Sequence, residues 1–431
     1  MILGFRAAFQ KLWLIIAVAF CLRFALVLMY EATTSRQALS VIPFLFEPGN
    51  IAYSLAHGHG FSSPLRVETG PTAWMTPVYP LLLAAIFKVW GSYTFPAYLA
   101  AVLFNIVCSA LTCIPIFAAG TRLAGLGVGV AAAWLWAVFP NAILIPVQSM
   151  WDASLSALLA ATILWATLAL TRSSGLRDWC LYGLLWGFTL MTDATLILLL
   201  PLLAGWIAWH LRKVHESPWF TRPLLSVGIA FLCCVPWTIR NLIVFHELIP
   251  FRSVLGLQLW VGNSERAPDR RPGEIHPLSN SAEREKYRRM GELPYMREKE
   301  EEALHFIGSH PAIEIHLVWD RFIATWTGGT PHPIADFFRV RSFEFRLILL
   351  FNLAVALGTF AGAIMILRNG NPYAFPVLAF PLFLPIPAYL TLASARYRHP
   401  VDPAILLLTA VALHQTLHLW RGRSKISHEF A

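Results

Sequence analysis

Long apolar runs leave a chain few options. In a bilayer only helices or closed barrels satisfy every backbone polar group. Such runs recur here, and ten can be drawn, at about 12–30, 97–119, 124–142, 151–170, 178–192, 194–211, 224–244, 345–367, 372–392 and 400–420. Several are close to the lower limit of roughly 17 residues for a spanning helix. The segment 78–90, VYPLLLAAIFKVW, is too short to span and is expected to lie in the interface or re-enter it. Of 431 residues, 57% are hydrophobic and 13% charged, against about 25% charged in a soluble domain. The expected class is an all-α integral membrane protein of about ten transmembrane helices. Interfacial helices are expected in two long loops, at about 31–96 and 245–344, within one unit over residues 1–431.

Charge sets an orientation. With the N-terminus cytoplasmic, the inner segments hold Arg6 and Lys11, Arg122, Arg172 and Arg177, Arg212, Lys213 and Arg222, Arg368, and Arg421, Arg423 and Lys425. Every short inner loop then carries a basic residue, as the positive-inside rule requires. Both long loops fall outside, and both termini inside. The inner acids are few: Asp178, Glu216 and Glu429. The net charge of +9 does not imply nucleic acid, because Lys and Arg are spread through short loops rather than gathered on one element. The run Leu12–Tyr30 follows Arg6 and Lys11 and reads as a retained anchor, with Arg23 either facing protein or reaching outward. The six cysteines lie in or beside apolar runs with no metal-ligand spacing. No P-loop or dinucleotide fingerprint is present. No cofactor is expected, and no metal site is evident in the pattern.

The polar residues worth weighing gather at the expected outer face. Glu47-Pro48-Gly49-Asn50 opens a stretch with two histidines, His57 and His59, and two glycines, Gly58 and Gly60. Between Glu31 and Pro77 the acids are Glu31, Glu47 and Glu68, and there is no Asp. Glu31 marks the end of a span and Glu68 sits in a polar loop, whereas Glu47 precedes a semi-apolar helical segment. A proline at a first helical position also fits a plain helix start at Glu47. Asp152, at the mouth of a span, fits either a dipole-favoured helix start or a functional acid. Asp193, between two closely spaced spans, reads as a turn residue. Arg240 and Asn241 close the seventh run, and Arg252 follows it. The stretch ARYRHPVD places Arg396, Tyr397, Arg398, His399 and Asp402 in one short outer loop, where the charge rule disfavours Arg. Guanidinium forks suit phosphate oxygens, and headgroup contact is the plain alternative.

In series, the acid after the first span, IAYSLAHGHGFSSP, GPTAWMTPVYPLLLAAIF, PWTIRN and ARYRHPVDPAILLL resemble the glycosyltransferases of the C superfold. The likeness is in particular to bacterial relatives of the protein O-mannosyltransferase and aminoarabinose-transferase group, which is glycosyltransferase family 39-like. The resemblance covers most of the chain. It implies a polyprenyl-phosphate sugar donor, inversion at the anomeric carbon, and an acid of the first outer loop as general base, which by position is Glu47. It makes Asp152 a second acid and Arg240, Arg252, Arg396 and Arg398 candidates for the donor phosphate; the residues themselves add Asn241, Tyr397, His399 and His59 as candidates for substrate binding. It implies a bacterial inner-membrane enzyme with its site facing outward, acting on a glycan, lipid or protein acceptor. The group more often has Asp where Glu47 stands, and aminoarabinose transferases have an acid–Lys pair where this chain has Met75 and Thr76.

The chemistry suits these residues. An acceptor hydroxyl must lose its proton as it attacks the sugar, and a positioned carboxylate contributes about 10²–10⁴-fold as the base. The departing phosphate gathers charge that Arg side chains stabilise in a water-poor site. A transporter or flippase of lipid-linked sugars would use the same Arg set but needs polar residues along the spans, of which there are few apart from Arg23. A ligase joining preassembled glycans would also work at the outer face, but the first-loop acid favours a monosaccharide transferase.

Overall fold

The computed structural model describes residues 2–148, 150–172, 175–214, 219–267, 272–340 and 342–429. Glu216 falls outside the described residues, as do the side chains of Arg6, Arg421, Arg423, Lys425 and Glu429. The described chain is helical throughout; an isolated bridge between Ser62 and Pro71 is its one β-type pairing.

Among the described residues, six helices are long and apolar enough to cross a membrane: Lys11–Thr33, Phe95–Ala124, Ala153–Leu170, Ala194–Lys213, Thr221–Phe245 and Phe343–Arg368. The pair Leu126–Val138 and Pro140–Gln148, bent by 45°, makes a seventh if counted as one span. Length and composition alone do not confirm the exact count of ten. The run at 178–192 forms Leu176–Thr192, a 17-residue helix whose first turn holds Arg177 and Asp178. The run at 372–392 breaks into Ala374–Phe383 and Ile386–Leu390, because Pro385 and Pro387 withhold the N–H groups that a continuous helix needs. The run at 400–420 lies in Asp402–Glu429, whose side chains are described as far as His418. Val78–Trp90 is a 13-residue apolar helix, too short to span. The protein is a multi-pass membrane protein.

Buried polar groups tie the bundle together. Arg23 is fully buried and donates to Ser109 Oγ at 2.9 Å, Ala19 O at 2.7 Å, Ala137 O at 3.1 Å and Trp136 O at 3.2 Å. It therefore faces protein, binding the first helix to two others, as a charge at membrane depth must. Phe343–Arg368 packs closely along Asp402–Glu429: a Cβ at Gly362 would lie 2.0 Å from Leu408 O. Small residues let helix backbones approach where water supplies no driving force.

The two long loops fold onto each other. The first holds Glu47–Ala56 and Val78–Trp90, and the second holds six helices between Leu255 and Arg339. Glu292 is their joint. Its buried carboxylate accepts from Thr72 Oγ1, from Ala73 N at 2.7 Å, from Ser253 Oγ at 2.6 Å and from Tyr287 Oη at 2.7 Å. Burial, reinforced by the Glu292 charge, holds the Tyr287 phenol well above its ordinary range, so it stays a donor. Ser253 N donates to Ala73 O at 2.8 Å, fixing the backbone next to Arg252.

Candidate functional site

A cavity of about 460 Å³ opens between the two loops and the mouths of the spans. Three acids line it, Glu47, Asp152 and Asp193, with Arg252, Arg396, His276 and Tyr397, while Trp74 and Trp151 supply aromatic wall.

Glu47 begins the helix Glu47–Ala56 and is buried. The sequence shapes this turn closely. Phe46 at the cap offers no side-chain acceptor, and Pro48 needs no partner for the N–H it lacks. Gly49 sits where a Cβ would lie 2.1 Å from Phe44 O, so the short helical turn Ile42–Phe44 can fold directly under Glu47. Asn50 Nδ2 donates to Pro64 O at 2.8 Å and clamps the returning loop. The helix-start reading and the functional reading of Glu47 thus describe one geometry: the first turn holds the carboxylate at the cavity wall. His276 faces it from the second loop, with Nε2 3.6 Å from Glu47 Oε1.

Asp152 immediately precedes the span Ala153–Leu170 and caps it without a side-chain hydrogen bond. Its carboxyl is therefore left to the cavity. Burial, together with the nearby charge of Asp193, pushes it up to about 7, while Arg396 and Arg252 act in the opposite direction. Asp193 does serve its turn: Oδ1 accepts from Thr195 N at 3.0 Å and from Thr195 Oγ1 at 2.6 Å. Yet it also lines the cavity. Thr76 Oγ1 donates to Thr192 O at 2.7 Å, holding the first loop against that turn.

Arg396 sits over Trp151, 3.6 Å from the ring centroid, and donates to Tyr397 Oη at 2.9 Å. Phe46 meets the same indole at 6.0 Å. Arg252 is half-buried and donates no hydrogen bond among the described residues. Among the described residues, donors of both guanidinium groups are left to meet an anion in the cavity.

Five of the sequence candidates are not brought there. Arg240 donates to Thr72 O at 2.7 Å, Phe61 O at 2.8 Å and Asn241 Oδ1 at 2.9 Å, and is ringed by Phe61, Trp237 and Phe245. Asn241 Nδ2 donates to Ile249 O at 2.9 Å. Both hold loops in place. Arg398 is buried; it pairs with Asp402 Oδ1 at 2.8 Å and donates to Thr325 O at 2.9 Å and to Asn352 Oδ1. His399 Nδ1 lies 3.1 Å from Asp402 Oδ2, and its ring stacks on Trp136 at 5.2 Å. His59 lies on an exposed turn. Two features of the cavity carry no signal in the sequence: His276 and the second role of Asp193. His276 sits in GEIHP with no periodic or motif signal, and only the docking of the second loop brings it to Glu47. Among the described residues, no group of three or more His, Cys, Asp or Glu is placed to hold a metal ion.

Residues 74–239 match the family model described as dolichyl-phosphate-mannose-protein mannosyltransferase. No curated protein matches the chain by sequence. The apo oligosaccharyltransferase of Archaeoglobus fulgidus superposes with a TM-score of 0.59 at 12% identity, covering 97% of this chain and 52% of that one. The archaeal oligosaccharyltransferase AglB from the same organism, in complex with an inhibitory peptide and a dolichol-phosphate, gives 0.56 at 12% identity with the same coverage. ArnT from Cupriavidus metallidurans in the apo state gives 0.40 at 15% identity, covering 94% of this chain and 78% of that one. The chain spans about half the length of the archaeal enzymes it matches, and that likeness shows a shared fold, the C superfold.

Proposed function

We propose that this chain, a relative of the dolichyl-phosphate-mannose-protein mannosyltransferases over residues 74–239 and built on the C superfold, transfers a sugar from a polyprenyl-phosphate donor to an acceptor hydroxyl. The observation that carries the reading is the cavity itself. One buried carboxylate on a rigid turn, two guanidinium groups with free donors and an aromatic wall share a single space. The family's description and the dolichol-phosphate bound to the archaeal relative supply the donor class.

Glu47 takes the proton of the acceptor hydroxyl as that oxygen bonds to the anomeric carbon. The anomeric C–O bond to phosphate breaks, and its electron pair leaves with the polyprenyl phosphate. Attack opposite the leaving group inverts the centre. Arg396 and Arg252 stabilise the charge gathering on phosphate, where charge-assisted bonds are strong. The aromatic wall formed by Trp74 and Trp151 suits the apolar side of a sugar ring. Asp152, poised between its two protonation states near neutrality, positions the acceptor or donor hydroxyls. The site works on the extracytoplasmic side of a bacterial inner membrane, with both termini cytoplasmic, as the distribution of basic residues implies. The acceptor is a glycan, lipid or protein bearing a free hydroxyl.

The test is transfer in vitro from a defined polyprenyl-phosphate sugar, with mass spectrometry of products across donor sugars and acceptors. Full transfer by a folded Glu47→Gln protein removes Glu47 as base. A wild type that carries lipid-linked sugar across vesicles and never transfers it overturns the enzyme reading in favour of a flippase. Single cysteines placed at Gly60 and Asn369 test the orientation: only the first should react from outside.

A further inference from the structure

We propose that His276, carried by the second outer loop, is the positioning residue for Glu47: its Nε2–H faces one carboxylate oxygen and aims the other at the acceptor. The inference rests on Glu47 acting as base. It adds what neither the family likeness nor the first loop supplies, a contact by which docking of the second loop completes the site.

The hydrogen bonds of His276 assign its proton. Leu278 N donates to Nδ1 at 3.2 Å, so in the neutral ring Nδ1 is the acceptor and the proton sits on Nε2. Nε2 is the atom that lies 3.6 Å from Glu47 Oε1. The residue's backbone is held as firmly: its carbonyl accepts from Ser279 N at 2.9 Å and Asn280 N at 2.8 Å. Asn280 then caps the helix Ser281–Met290 through Glu283 N. That helix carries Tyr287 to Glu292, the joint between the two loops. Trp74 walls the imidazole edge-to-face at 5.9 Å.

A neutral donor is what a base needs beside it. An imidazolium would stabilise the carboxylate and make it a weaker base, whereas a neutral N–H orients it with less loss of basicity. Burial holds His276 below its ordinary range, the Glu47 charge acts against this, and Arg396 adds to it. The other charged groups on the cavity are Asp152, Asp193 and Arg252. The present 3.6 Å is longer than a hydrogen bond of about 2.7–3.2 Å, and catalytic contacts commonly tighten only in the substrate complex.

The experiment uses the full chain and polyprenyl-phosphate mannose, or another sugar form that the wild type turns over, with kcat and KM measured separately. His276→Ala should lower kcat about tenfold to hundredfold, the scale of a misaligned reacting group, with KM little changed. His276→Gln places an amide near the Nε2 position and should restore most of that loss. Adding His276→Ala to Glu47→Gln should cost nothing further, since the histidine acts through the carboxylate. Unchanged kcat in His276→Ala beside an inactive Glu47→Gln overturns the positioning role and leaves the base intact. Equal losses in the Ala and Gln variants that add to the Glu47→Gln loss also overturn it. Full activity in Glu47→Gln sinks both readings.

Discussion

Arg396 and Arg398 stand two residues apart and meet opposite fates. Residues two apart on a helical turn point roughly 200° away from each other. The turn Ala395–Arg398 therefore sends Arg396 to the cavity and Arg398 into the bundle. Arg398 is committed to Asp402, Thr325 O, Trp326 O and Asn352. Arg396 has an indole beneath it, a phenol beside it and cavity in front. The carboxylates divide in the same way. Glu292 accepts from four groups, while Glu47 faces the cavity with His276 opposite. A charged group whose bonding capacity is filled by the protein holds structure. One left partly unfilled at the edge of a cavity is available to a ligand.

This contrast can be broken at several points. The largest effect is expected at Glu47: Glu47→Gln should cut transfer by about 10²–10⁴-fold or more while leaving the folded protein intact, measured as product formed per folded protein. Next is the buried knot. Arg398→Ala strands a buried Asp402 charge and should cost about 3–5 kcal/mol of stability, read as a fall in thermal midpoint or the loss of folded protein in detergent. Arg396→Ala should leave that midpoint nearly unchanged and weaken donor binding by about tenfold to hundredfold, the scale of lost charge-assisted bonds. If Arg396→Ala destabilises and Arg398→Ala weakens donor binding in a stable protein, the contrast is reversed.

Asp152 gives a pH signature. Its folded carboxyl is raised to about 7, so folding favours the neutral form. Its contribution to stability falls as pH climbs from the ordinary carboxylate range through about 7, and Asp152→Asn should remove that fall and raise the thermal midpoint at neutral pH. The ionised form positions substrate, so transfer should rise as pH climbs through about 7, and the Asn variant should lose that rise. The smallest effect belongs to His59, exposed on its turn: His59→Ala should alter transfer by no more than about twofold, consistent with surface changes of about 0.5 kcal/mol.

Much of the fold could be read from the chain because apolar length is a one-dimensional property. The spans around Ala153–Leu170 and Thr221–Phe245 emerge where the apolar runs lie. Proline breaks near Pro385 and the polar start of Leu176–Thr192 are visible too, but whether such a segment spans depends on its neighbours. For the site, Glu47 stood out because its loop has few acids and its turn is rigid. Arg240 and His399 stood out on the same grounds of polarity near a membrane edge, and the structure commits both to internal partners. Asp193 looked like a turn residue, and it is one, at the edge of the cavity.

What the sequence determined by itself was the solvent: runs too long and too apolar for water require helices that satisfy their own backbones in lipid. It also determined the local shape of the Glu47 turn, since Pro48 and the close approach at Gly49 act over a few residues. Only the tertiary structure decided which polar groups are spent and which are free. That depends on the carbonyls and carboxylates that other segments bring within hydrogen-bond reach: Thr72 and Phe61 for Arg240, Asp402 for Arg398, the second loop's His276 for Glu47. Hydrogen bonding acts over about 3 Å, and sequence separation carries almost no information about distances that short.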